Sequence, residues 1–90
     1  MVELQKIKDR IGEIAQRREN ATLAEIRWVV ERLHDLGHRT SERKATHGVL
    51  FGVDSCRFMV NCHNKGNKQV KGYSVDEFVC EMNKLGLYED

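Results

Sequence analysis

The chain is 90 residues long, the size of one domain with one modest core. Fifteen Lys and Arg against fourteen Asp and Glu leave a formal net charge of +1, a balance that by itself argues against a nucleic-acid partner. No run approaches the about 18 apolar residues of a membrane-spanning helix, and the opening MVELQKIKDR lacks the order of a secretory signal, so a cytoplasmic protein that does not enter a membrane is expected.

The first segment spaces Leu4, Ile7, Ile11 and Ile14 three and four residues apart with charges between them, one apolar stripe on a helix occupying residues 1–20. A second helix is expected from TLAE, where Thr22 caps the first amides and Glu25 reaches back to close a capping box. Its stripe is Ile26, Val29, Val30 and Leu33, with Trp28 at the edge, and Gly37 suits a left-handed stop.

After Gly37 the hydrophobic period drops to two. GHRTSERK is polar and reads as an exposed strand. THGVLFGV puts His47, Val49 and Phe51 on one face, and SCRFMVNC does the same for Cys56, Phe58 and Val60. GVDS, with Gly52 and Asp54, reads as the hairpin turn between them. NKGNKQVKG reads as a basic loop with almost nothing to bury. SVDE repeats the capping-box pattern with Ser74 and Glu77, and Val75, Phe78, Val79, Met82 and Leu85 form a last helical stripe stopping at Gly86. The expected fold is α+β in the order α-α-β-β-β-α, a three-stranded antiparallel sheet with helices packed on one face. Residues 1–90 form one domain, with 22–90 as its core. The other sheet face must meet solvent or a partner.

Charge is unevenly spread. Residues 38–72 carry Arg39, Arg43, Lys44, Arg57, Lys65, Lys68 and Lys71 against Glu42 and Asp54, whereas 73–90 carry Asp76, Glu77, Glu81, Glu89 and Asp90 against Lys84. A basic middle is either a solvated surface or an anion-binding face. Cys56, Cys62 and Cys80 form no C-x-x-C pair and meet no zinc-spaced histidines, so reduced structural thiols and no metal or other cofactor are expected.

Among the histidines, His34 reads as a partly exposed helix residue and His38 as a cation at the negative end of the helix dipole. His63, beside Cys62 where the third strand is expected to leave the sheet, reads as a turn residue or a phosphate contact together with Lys65 and Lys68. His47 follows Arg43 and Lys44. It is either an ordinary strand residue or a general base, since a basic neighbourhood keeps imidazole neutral near pH 7. The reaction suited to it is attack of a ribose 2′-hydroxyl on the adjacent phosphate, with Arg43, Lys44 or a loop lysine stabilising the phosphoryl oxygens.

The segments ERLHDLGHRT, KATHGVLF, FMVNCHNKG and KGYSVDEFVCEMNKLGL together resemble the HicA family of toxins, small ribonucleases paired with HicB antitoxins. The likeness spans roughly residues 22–90. It implies a double-stranded-RNA-binding-domain-like fold, His47 as the catalytic histidine, RNA contacts from Arg43, Lys44, Thr46, His63, Lys65, Lys68 and Lys71, and a HicB-type antitoxin as partner. Such folds read RNA by shape, phosphate and 2′-hydroxyl, which suits a basic face without stacking aromatics. Ala45 and Thr46 stand where the family carries glycine and serine, Gly48 where a second histidine is frequent, and Asn61 where a proline is usual. A non-catalytic RNA-binding module of the same fold is the alternative that these departures permit.

Overall fold

The computed structural model describes residues 4–46, 48–64 and 67–88, excluding the side chains of 63, 64, 67 and 68. Seven elements follow in the order α1 (Leu4–Gln16), α2 (Leu23–Asp35), β1 (Thr40–Lys44), β2 (Gly48–Val53), β3 (Cys56–Asn64), β4 (Asn67–Val70) and α3 (Gly72–Lys84). The strands form one antiparallel sheet in the order β1-β2-β3-β4. The molecule is thus an α+β protein with three helices and a four-stranded antiparallel sheet. None of the described helices is long and apolar enough to cross a membrane.

The helices follow from their spacing and their ends. Ile7, Ile11 and Ile14 of α1 are fully buried, while Leu4, the first of that stripe, stays 44% exposed. Thr22 accepts from the Glu25 amide at 3.3 Å and the Glu25 carboxylate accepts from the Thr22 amide at 3.2 Å, the expected reciprocal cap of α2. Gly37 adopts φ +101°. The amides of Gly37 and His38 then return to the carbonyls of His34 and Leu33, ending α2 in a Schellman turn. Gly86, at φ +77°, ends α3 in the same way, with Gly86 and Leu87 donating to Asn83 and Met82.

The sheet buries one face. Val49, Phe51 and Val53 of β2 and Phe58 and Val60 of β3 point into a core shared with Ile26, Val29, Leu33, Phe78 and Met82. Phe58 lies at its centre, its ring 5.7 Å from Phe51 and 5.4 Å from Phe78, the latter edge-on. The hairpin turn comprises only Asp54 and Ser55, with Asp54 at φ +54°; Gly52 belongs to β2 and lies opposite Ser41. The Asp54 carboxylate binds the His38 ring at 2.7 Å and the Arg39 amide at 3.1 Å, docking the turn onto the connection between α2 and β1. His38 therefore serves the hairpin as well as the helix end.

Three sequence expectations need correction. NKQV is a fourth strand and not part of a loop. Its register against β3 slips by a residue between the pairs Cys62↔Val70 and Asn64↔Asn67, which erases alternation, and only Val70 is both apolar and buried. Hydrogen bonds to the link between α1 and α2 supply a hold that apolar burial does not: Val70 donates to the Ala21 carbonyl, Gln69 bridges to Thr22, and the Gln69 side-chain amide donates to the Glu19 carbonyl. Secondly, β3 continues through His63 to Asn64 instead of leaving the sheet. Thirdly, Ser74 does not cap α3. The cap position is Lys71, with no side-chain cap bond, and Ser74 lies inside the first turn, fully buried. Its hydroxyl accepts from the Asn61 amide at 2.9 Å, fixing the start of α3 to β3.

Candidate nucleic-acid interface

Alternation along β1, β2 and β3 assigns each side chain to a face of the sheet. Glu42 pairs with Phe51 across the ladder and meets Arg27 of α2, so it belongs to the helix side. Its neighbours Ser41 and Arg43 therefore belong to the open face. There the register aligns Arg43, Leu50 and Met59 in one row and Ser41, Gly52 and Arg57 in the next. Leu50 and Met59 are half-buried, and Arg43 and Arg57 are exposed. No carboxylate belongs to this face of β1, β2 and β3 among the described residues.

The arginines divide between the two sides. In α1, α2 and the link between them each has an acid within ion-pair distance: Arg10 with Glu13, Arg17 with Glu25, Arg18 with Asp76, Arg27 with Glu42 and Arg32 with Asp35. The Arg18 guanidinium grips Asp76 through two bonds of 2.7 and 2.8 Å. That hydrogen bond pulls the Asp76 carboxyl below its usual range and raises Arg18. Among the described residues, Arg39, Arg43 and Arg57 have no such partner. An unpaired guanidinium presents its whole fork of donors to an incoming anion.

One end of the sheet gathers further polar groups. β1 and β2 are joined through residues 45–47, and the Ala45 amide donates to the Gly48 carbonyl at 2.9 Å. Gly48 lies opposite Asn61 so closely that a Cβ there would overlap the Val60 carbonyl. Position 48 can hold no side chain while the strands keep this approach. Asn61 is a hub: its carbonyl accepts from the Lys71 amide at 2.8 Å, its amide donates to Ser74, and its side-chain amide donates to the Tyr73 hydroxyl at 3.0 Å. The Lys71 ammonium sits 5.9 Å from the centre of the Tyr73 ring. Tyr73, 53% exposed, is thus an aromatic on the basic side of the molecule, where the sequence suggests a face without one.

The expected site residues do not all converge. Arg43 is on the open face, but Lys44 pairs with Val49 and so belongs to the opposite one, because consecutive strand residues alternate. Thr46 is exposed in the link before β2, and Lys71 stands at the start of α3 beside Asn61. His63 and Lys68 lie in β3 and β4 as residues. His47 and Lys65 fall outside the described residues. Three features are added by the fold: Arg57 as an outward strand cation, Gly48 as an obligatory glycine, and Asn61 with Tyr73. Of these only Arg57 has a signal in the sequence, its parity with Met59.

Elsewhere, a concavity of about 380 Å³ lies between α1 and α3 and is lined in part by Val75, Asp76, Val79 and Cys80. Its acid is already engaged by Arg18. The three cysteines are free thiols, and partial burial, reinforced by the neighbouring Glu81 carboxylate, pushes Cys56 up, away from thiolate chemistry. Comparison with protein-family models, with curated proteins and with solved structures finds no match to this chain.

Proposed function

We propose that this protein is an RNA-directed, HicA-like endoribonuclease toxin of the cytoplasm, with a double-stranded-RNA-binding-domain-like core and a HicB-type antitoxin as its neutralising partner. The observation that carries the reading is the open sheet face, where Arg43 and Arg57 stand without ion-pair partners among the described residues while the arginines of the helical side are paired internally. A face of unpaired guanidinium groups without carboxylates suits a polyphosphate backbone, whose contacts release counterions and draw the protein onto RNA.

The chemistry assigned to it is metal-independent transesterification. His47 takes the proton of a ribose 2′-hydroxyl, the 2′-oxygen forms a bond to the neighbouring phosphorus, and the 5′-oxygen leaves and takes a proton from water. The products are a 2′,3′-cyclic phosphate and a free 5′-hydroxyl. Cations of the basic segment, with Arg43 the candidate on the open face, offset the charge gathering on the phosphoryl oxygens.

A second reading, an RNA-binding module without cleavage, draws on Gly48. Because a Cβ there would collide with β3, this chain has no room beside His47 for the second histidine frequent in HicA toxins. One experiment separates the two. Wild-type protein and His47→Ala are incubated with mixed single- and double-stranded RNA in EDTA, and both cleavage and end groups are analysed. Cleavage by wild type alone, leaving cyclic phosphate ends, is the expected result. Binding by both proteins without cleavage would leave the module, and no binding by either would overturn both readings.

A further inference from the structure

Tyr73 is the feature that neither the fold nor the cleavage chemistry uses. It is the most exposed large apolar side chain among the described residues, and it is not a loose one. Asn61 ties its hydroxyl to β3 at 3.0 Å, the Ser74 hydroxyl one residue on fixes the local backbone to the same strand, and the Lys71 ammonium lies 5.9 Å from the ring centre. Held at the hydroxyl end and at the backbone, the ring keeps its orientation before any ligand arrives. It stands at Asn61, whose ladder partner Gly48 has no side chain to screen it and directly follows His47.

Resting on the RNA reading above, we infer that Tyr73 is a stacking platform for an unpaired base, which makes single-stranded RNA the preferred substrate of this face. Three observations converge on that choice. An exposed ring offers a π-face to any base, whereas a base inside a duplex is already stacked on its neighbours and cannot use it. Lys71, Arg43 and Arg57 supply positive charge around the ring and along the face, and no carboxylate among the described residues belongs to the open face of β1, β2 and β3 to repel a phosphate backbone. The centre of the face is Leu50 and Met59, half-buried and without charge, a surface on which bases can lie but which offers nothing to a phosphate. A strand with bases toward Tyr73, Leu50 and Met59 and phosphates toward Arg43, Arg57 and Lys71 meets each group with its complement.

The test measures binding of fluorescent RNA by wild type, Tyr73→Leu and Tyr73→Phe, using a 12-nucleotide uridine-rich single strand and a duplex of equal length at matched salt. Every protein also carries His47→Ala to prevent cleavage. Tyr73→Leu is expected to weaken single-strand binding roughly 5- to 100-fold and to leave duplex binding within about twofold, since loss of one stacked base has that size. Tyr73→Phe keeps the ring and loses only the tie to Asn61, so it is expected to retain most of the affinity. Circular dichroism checks that each variant is folded, which an exposed position favours. Equal single-strand binding with Tyr73 and with Tyr73→Leu would overturn the inference while leaving the RNA reading intact, and would give Tyr73 to a protein interface. A preference for duplex by the protein that keeps Tyr73 would also overturn it. Failure of that protein to bind either RNA would instead remove the RNA reading, and the inference with it.

Discussion

The helical layer and the open face of the sheet are built from the same residue types and use them in opposite ways. On the helical side arginine is structural. Arg18 and Asp76 lie 58 positions apart in the chain, and Arg27 and Glu42 lie 15 apart, yet each pair closes through two hydrogen bonds. On the open face Arg43 and Arg57 meet no acid among the described residues, and their neighbours are Leu50, Met59, Ser41 and Gly52. A net charge of +1 therefore hides a separation: the arginine–carboxylate pairs belong to the helical side, and the two arginines of the open face have no such pair among the described residues. Net charge is a poor guide to an anion-binding surface when ion pairs are segregated in this way.

The deepest way to break the comparison is to remove the core on which both sides rest. Phe58→Ala, which strips the ring lying between Phe51 and Phe78, is expected to cost about 3–5 kcal/mol. In urea denaturation the midpoint should fall steeply, and RNA binding should disappear with the fold. The comparison itself is sharpened by changing cations on one side at a time. Arg43→Ser with Arg57→Ser should weaken RNA binding and flatten the dependence of log Kd on log salt by roughly one for each phosphate no longer engaged, with the thermal midpoint nearly unchanged. Arg27→Ser should do the reverse, leaving the salt slope alone and costing only about 0.2–1 kcal/mol, because its pair with Glu42 is largely in solvent. A shared response to both changes would mean that the two sides are not distinct.

The smallest expected effect is a pH dependence. Hydrogen bonds to His38 and to the Arg39 amide hold the Asp54 carboxyl below its ordinary value, and Arg18 does the same for Asp76. A group whose folded pKa is depressed contributes stability above its unfolded pKa and loses it as pH falls through the folded value. Thermal midpoints should therefore be insensitive to these two groups above about pH 5 and decline below about pH 4, the ordinary range of aspartate. Asp54→Asn should remove part of that decline and lower the midpoint at neutral pH.

Much of the fold is legible in the sequence because its signals are local. The capping box at Thr22 and Glu25, the Schellman stops at Gly37 and Gly86, and the alternation of Val49, Phe51, Phe58 and Val60 are each contained in a few residues. What escapes is non-local. β4 has one buried apolar residue and a register slip, and it is held by Glu19, Ala21 and Thr22, far away in the chain. Ser74 matches the capping-box pattern, yet its hydroxyl binds the amide of Asn61, a partner no helix pattern contains. Chain position groups the basic segment together, whereas pairing register splits it: Arg43 goes to one face and Lys44 to the other. For the candidate site the sequence singles out individual cations and one histidine, but the unpaired state of Arg43 and Arg57 depends on where every carboxylate ends up.

The position of β1 at the border of the sheet has a consequence for how the protein avoids its own kind. A border strand exposes a row of unused amides and carbonyls that invites another chain to add a strand, the first step of aggregation. β1 answers with Thr40, Ser41, Glu42, Arg43 and Lys44, five polar residues in sequence and four of them exposed, so a like strand laid alongside would bring charge against charge. Arg43 then has two duties in the proposed scheme, attracting RNA from one side and deterring self-association at the rim. Variants that neutralise it should be watched for slow precipitation as well as for weakened binding.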